Sequence, residues 1–476
     1  MIAVTPRVIG GLAGLAGLAG LAGLRRLRHP VLWLALVSAS AGLTTAAHAN
    51  GRPPLTNGVF FQANDDQALY VRSTFGLLIS HDAGCSFRWV CEQSIGYGGT
   101  FDPKYAVAAD GTLFATTYTG LRVSHDAGCS FTTATAELPA DAPGRFADMW
   151  VDALDIGPTG EIWVATADTV KPNDVFRSTD GGVTFVSRGM ASPVLWWKSL
   201  VVAPSDAMHV YLSGYQVANA PPTTQLFSTT DGGQRWTPAS LAGVQLAGTP
   251  LVTVAAVDPT NPLHVYIVSV EANGSGDRLY RSTDGGTTFQ EVLATAQPIA
   301  NVVIRDAMTV LVVSGAGTFR STDGGATFGA AETAPRLGCL GKRPDGTLVG
   351  CAANWDPDFM AVGRSDDASQ WQKVFRFIEL AGPVSCPAGT SGREVCDKQL
   401  WPGLREQFGA TGPTCGATPD LPVDPPRSGG CCDTGGGSPV GFGLLTLLTA
   451  WMIGRPSRRR CVGCVARHPR TSPARE

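Results

Sequence analysis

Two sets of side chains in this sequence could carry chemistry. The first is carboxylates: Asp102 with Asp148 or Asp152 could meet across loops and act as the acid and base that split a glycosidic bond. In a chain rich in acids such pairs also arise by chance, so the pairing has little weight by itself. The second set is aromatic. Tyr97, Trp150, Trp196, Trp197, Tyr215 and Trp355, together with Lys198, fall in stretches that join apolar strands. Rings with one polar edge suit contact with sugars or proteins. They pack equally well between structural elements, and for Trp150 and Trp197 that reading is at least as good. Motifs for other reactions are missing: the sequence has no P-loop, zinc-protease helix or nucleophile elbow. The cysteine spacings match no zinc finger and His is scarce, so neither a metal nor a cofactor is expected.

Elements to position these residues are legible in an internal repeat. Ser178-Thr-Asp180-Gly-Gly182-Val-Thr184-Phe185 recurs around Asp284 and Asp323 almost unchanged. Looser copies surround Asp82, Asp126 and Asp231, and a seventh around Asp367 is one residue short. Each copy follows an alternating apolar stretch and leads into another. The Ser and Asp side chains can bond turn backbone, the glycines supply positive φ, and the terminal ring points back into an apolar layer. In the third unit, strands are expected at 151–156, 161–166, 175–178 and 184–187; in the second, at 105–109, 112–117, 121–124 and 130–133.

The octapeptide resembles the Asp-box, or BNR repeat, of sialidases, sortilin-like receptors, xyloglucan-type endoglucanases and photosystem assembly propellers. The resemblance covers about residues 58–380 and implies an all-β fold, a single β-propeller. One box per blade, at the turn between the third and fourth strands, gives seven four-stranded blades. It also implies that Asp82, Asp126, Asp180, Asp231, Asp284, Asp323 and Asp367 are structural and lie opposite the variable loops. Catalysis does not follow. No sialidase-like Phe-Arg-Ile-Pro motif precedes the first box, and Arg72 and Arg88 stand in strand contexts. The endoglucanases work in a cleft between two propellers, and this chain has material for one.

Charge and both ends point to export. Residues 50–437 carry 25 basic and 38 acidic side chains, about −13, which repels nucleic acid. Residues 1–49 read as a low-complexity extension and signal peptide: Arg25, Arg26 and Arg28, an apolar run, then Ala47-His48-Ala49. Near the other end, Cys431-Cys432, a glycine patch, the apolar residues 439–454 and an Arg cluster resemble the MYXO-CTERM sorting tag of Gram-negative bacteria. That resemblance implies a sorting tag or transmembrane anchor at 431–460, a cytoplasmic tail at 461–476, and display at the cell surface or outer membrane. A simple anchor facing the periplasm leaves the same outward topology.

Cysteine use fits an oxidising compartment. Cys339 and Cys351 lie symmetrically about Asp345, so a hairpin of 337–342 and 347–351 sets them opposite each other as a cross-strand disulfide. Cys85 and Cys91 are close enough for a second. The Pro/Gly-rich residues 381–430, with further cysteines, read as a stalk between a 50–380 propeller and the membrane. The expectation is a monomeric, surface-tethered, non-catalytic module that binds an extracellular glycan or surface protein. A secreted glycoside hydrolase, sialidase-like or glucanase-like, is the alternative.

Overall fold

The computed structural model describes residues 52–216, 223–246, 251–270, 276–330 and 332–414. Residues 1–49, read as extension and signal peptide, residues 431–476, read as sorting tag and tail with Cys431 and Cys432, and Cys415 lie outside the described residues. Seven antiparallel sheets occupy residues 56–90, 105–133, 151–187, 195–238, 251–294, 299–321 and 339–375, each with its strands in sequence order. The first strand of each sheet touches the first strands of the sheets on either side, so these strands ring a central axis. This is a seven-bladed β-propeller.

The third blade shows how sequence makes a blade. Its strands are Val151–Ile156, Ile162–Thr166, Val175–Ser178 and Val186–Ser187, close to the expected limits. The second strand is buried throughout, because it faces a neighbouring blade on each side. The sixth blade departs from the plan. It has three strands, and a single bridge between Thr318 and Glu332 stands where a fourth would run. The Gly329-Ala330-Ala331 run there has no side chains large enough to pack a strand.

All seven octapeptides form the turn between third and fourth strand positions. In the sixth, the Ser321 hydroxyl donates to the Asp323 carboxylate at 2.7 Å and accepts the Gly325 N–H at 2.8 Å. That carboxylate also accepts the Thr327 N–H at 2.9 Å and its hydroxyl at 2.6 Å. The first, second, third and fifth repeat this network; in the fourth, Thr229 replaces Ser and Arg235 offers only its N–H. Hydrogen bonds from Thr184 and from Thr288 hold the Asp180 and Asp284 carboxyls down at about 2. Gly325 sits at φ +80°, and a Cβ there would come within 2.0 Å of the Tyr266 hydroxyl. The shortened seventh copy still closes, with Ala368 at positive φ.

The ring closes without a composite blade. The first blade is built wholly from the N-terminal side and the seventh wholly from residues 339–375, so no blade is shared across the seam. Residues 377–414, read in part as stalk, instead pack over that seam. Ala381 donates to the Phe87 carbonyl and Val384 to that of Trp89, while Trp89 N–H donates to the Gly382 carbonyl, a parallel bridge along the first blade's outer strand Arg88–Val90. A helix follows, π-wound over Gly392–Leu400 and α over Trp401–Phe408. It buries Leu404 and Phe408 against Phe75 and Phe377.

Disulfides fasten this segment: Cys91 to Cys396 and Cys129 to Cys386, while Cys339 pairs with Cys351 in the seventh blade's hairpin. Cys85 is disulfide-bonded too, but not to Cys91. Cys91 ends the first blade's outer strand and lies against the helix, which decides its partner. No helix among the described residues is long and apolar enough to cross a membrane.

Candidate functional site

The face opposite the octapeptides carries the loops between second and third strands and the links between blades. Five rings form an arc there across the second, third and fourth blades. Phe101 lies 4.5 Å from Tyr118, Tyr118 4.9 Å from Trp150, Trp150 5.7 Å from Trp196 and Trp196 5.9 Å from Tyr215, between ring centres. Tyr118 occupies a tight turn between Leu113–Thr117 and Gly120–Ser124 and is 52% exposed. Trp196 and Tyr215 are cross-strand partners, so the sheet itself sets their spacing.

Beside the arc, charged groups converge at the mouth of the central channel. The Lys104 ammonium reaches across from the second blade and donates to the carbonyls of Asp152 (2.6 Å) and Lys198 (2.9 Å), on the innermost strands of the third and fourth. Lys198 donates to the Asp152 carboxylate at 2.8 Å. Burial, helped by nearby Lys198 and Arg72 and opposed by Asp152, pulls Lys104 down to about 8. On the first blade, Arg72 donates to Asn57, and Asn57 and Arg52 both donate to the Asp102 carboxylate. The Tyr97 and Tyr105 hydroxyls are buried next to this group and against each other. Burial pushes the Tyr97 hydroxyl well up.

A shared backbone device aims these groups. Register shifts on the innermost strands leave Asn57, Asp152 and Lys198 unpaired as bulged residues. A bulge breaks the alternation of a strand and re-aims one side chain. Here three bulges turn three polar residues into one mouth.

Of the residues singled out in the sequence, Trp150, Trp196 and Tyr215 belong to the arc and Lys198 to the mouth. Tyr97 borders the mouth, half-buried. Two do not join them. Trp197 is fully buried, packed on Phe227, because it sits one residue along the strand Leu195–Ala203 from Trp196 and points to the opposite face. Trp355 is 47% exposed on a loop of the seventh blade and its ring meets Phe377 at 6.5 Å, apart from the arc. The carboxylates are committed elsewhere: Asp102 to Arg52 and Asn57, Asp152 to two ammonium groups. Sequence reasoning missed Phe101, Tyr118, Lys104 and the mouth-facing role of Arg72.

Neither a family model nor a curated protein matches this sequence. Solved structures do resemble it. A GH74 xyloglucanase from Xanthomonas campestris is 17% identical with a TM-score of 0.45, over 67% of this chain and 60% of that one. YCF48 from Cyanidioschyzon merolae is 12% identical with a TM-score of 0.40, over 64% of this chain and 94% of that one. A puromycin-hydrolyzing peptidase from Mycobacterium tuberculosis is 13% identical with a TM-score of 0.49, over 70% of this chain and 55% of that one. The likeness is one of fold. The chain spans 60% of the xyloglucanase's length.

Proposed function

We propose that this protein is an exported, surface-tethered propeller of the Asp-box kind that binds an extracellular glycan without cleaving it. The observation that carries this reading is the five-ring arc on the loop face. Ring faces beside hydrogen-bonding groups suit the apolar faces and hydroxyls of sugars, and such mixed surfaces are what ligand sites are made of. The neighbouring Asp102 and Asp152 carboxylates are engaged by cations, which supports binding over hydrolysis. Export and tethering rest on the signal-like residues 1–49 and the tag-like residues 431–460.

The test incubates the protein, made under oxidising conditions, with a panel of polysaccharides, sialosides and cell-envelope fractions. Bound ligand and new reducing ends or sialic acid are scored together. Retention without release is expected, and Trp196→Ala weakens it without lowering thermal stability. Release of reducing ends overturns the non-catalytic reading. Deleting residues 431–476 is expected to free the protein from the membrane; unchanged retention rejects the tether.

A further inference from the structure

Resting on that reading, we infer that the channel mouth takes the carboxylate of an acidic sugar, so that the glycan is a uronic-acid polysaccharide lying along the aromatic arc.

Three observations carry this. The first is charge. Arg52, Arg72, Lys104 and Lys198 converge with Asp102, Asp152 and the nearby Glu92, an excess of cations within a body whose formal charge is about −13. Among the described residues Arg72 makes no ion pair and bonds only neutral Asn57 and the Pro103 carbonyl. Lys104 and Lys198 share the single carboxylate of Asp152.

The second is donor character. The Tyr97 and Tyr105 hydroxyls lie buried against each other beside Asp102 and Arg72, and the nearby Arg52 Nε is buried without a partner. Buried polar atoms are nearly always paired, so an idle donor among further donors leaves a place for an acceptor. Ammonium, guanidinium and phenol groups together call for a group that only accepts, and a carboxylate is one.

The third is continuity. Phe101 adjoins Asp102 in the chain, Trp196 and Lys198 are on one strand, and Tyr215 feels the Asp152 charge. A sugar ring stacked on Trp196 therefore has the mouth within reach of its substituents. An acidic peptide also offers carboxylates, but the adjoining arc of aromatic rings favours a saccharide.

The experiment measures binding of the full protein to polygalacturonate, to the same polymer with its carboxylates reduced to hydroxymethyl groups, and to polyglutamate. Polygalacturonate is expected to bind at least about tenfold more tightly than its reduced form, and to weaken as salt is raised. Lys198→Gln lowers that affinity about tenfold, and Lys198→Arg, which keeps the charge, restores most of it; this rescue separates ligand contact from misfolding. Equal binding of the reduced polymer overturns the acidic-sugar inference while leaving glycan binding standing. Preference for polyglutamate, or no binding to either saccharide, overturns both.

Discussion

Replacing Asp155 with Asn should flatten the pH dependence of stability. Asp155 lies on the innermost strand Val151–Ile156 and accepts the N–H of Val202, in the next blade, at 2.8 Å and that of Ile156 at 2.9 Å. Burial outweighs both bonds and raises its carboxyl to about 7, with Glu161 adding to the rise. In the unfolded chain the group titrates near 3.8. Between these values the folded state binds the extra proton, so the contribution is fully present below about pH 4 and lost as pH climbs through 7.

The gap of about three pH units is worth at most about 4 kcal/mol. The side chain keeps some contact with water, so about 2 kcal/mol is the working figure. Asn retains an acceptor for one N–H and loses the other, a pH-independent cost of about 1 kcal/mol. Urea unfolding of both proteins from pH 4.5 to 8 measures this. The variant should be less stable at low pH and draw level or pass the wild type by pH 8. The octapeptide carboxyls titrate below this range, and His209, buried and held low, cancels in the difference. A difference that stays constant with pH refutes the reasoning.

Three further outcomes are expected. Replacing Cys91 and Cys396 with Ser should cost about 4 kcal/mol rather than the 5–6 of an isolated 305-residue loop. Cys129–Cys386 already closes the ring, leaving 38 residues on one side and 10 on the other; denaturant unfolding with matched m-values checks it. Ser282→Ala should lower stability by about 1–2 kcal/mol because the hydroxyl serves Asp284 and Gly286. Ser282→Thr should cost far less, as Thr229 already plays that part, and calorimetry of the two variants decides it. Trp355→Ala should leave polysaccharide affinity within about twofold, whereas Trp196→Ala lowers it tenfold or more, as titration calorimetry would show.

The fold was legible because each octapeptide is a local object: its Ser, Asp and Gly bond within eight residues. Cys339–Cys351 was readable for the same reason, being set by one hairpin. Cys91–Cys396 was not, since 305 residues separate them and only the closed ring brings them together. The helix over the seam had a signal in Leu400, Leu404 and Phe408, four residues apart, but the Pro and Gly around it masked that spacing. For Trp197 the sequence left contact and packing open, and packing holds, because the strand begins at Leu195 and its alternation separates Trp197 from Trp196. The bulges that re-aim Asn57, Asp152 and Lys198 depend on pairing between strands and leave no mark in composition.

The Cys129–Cys386 bridge makes everything between those residues a covalent macrocycle, which includes five of the seven blades. An extracellular protease that cuts one exposed loop, such as 168–174, opens the circle without separating its halves. The severed blades stay packed against both neighbours, and the two new ends remain tied through sulfur. Such a nick would be visible only after reduction, as two fragments from what had migrated as one chain. Backbone cleavage and loss of the ring thereby become two separate events, and the second requires either another cut or a reductant.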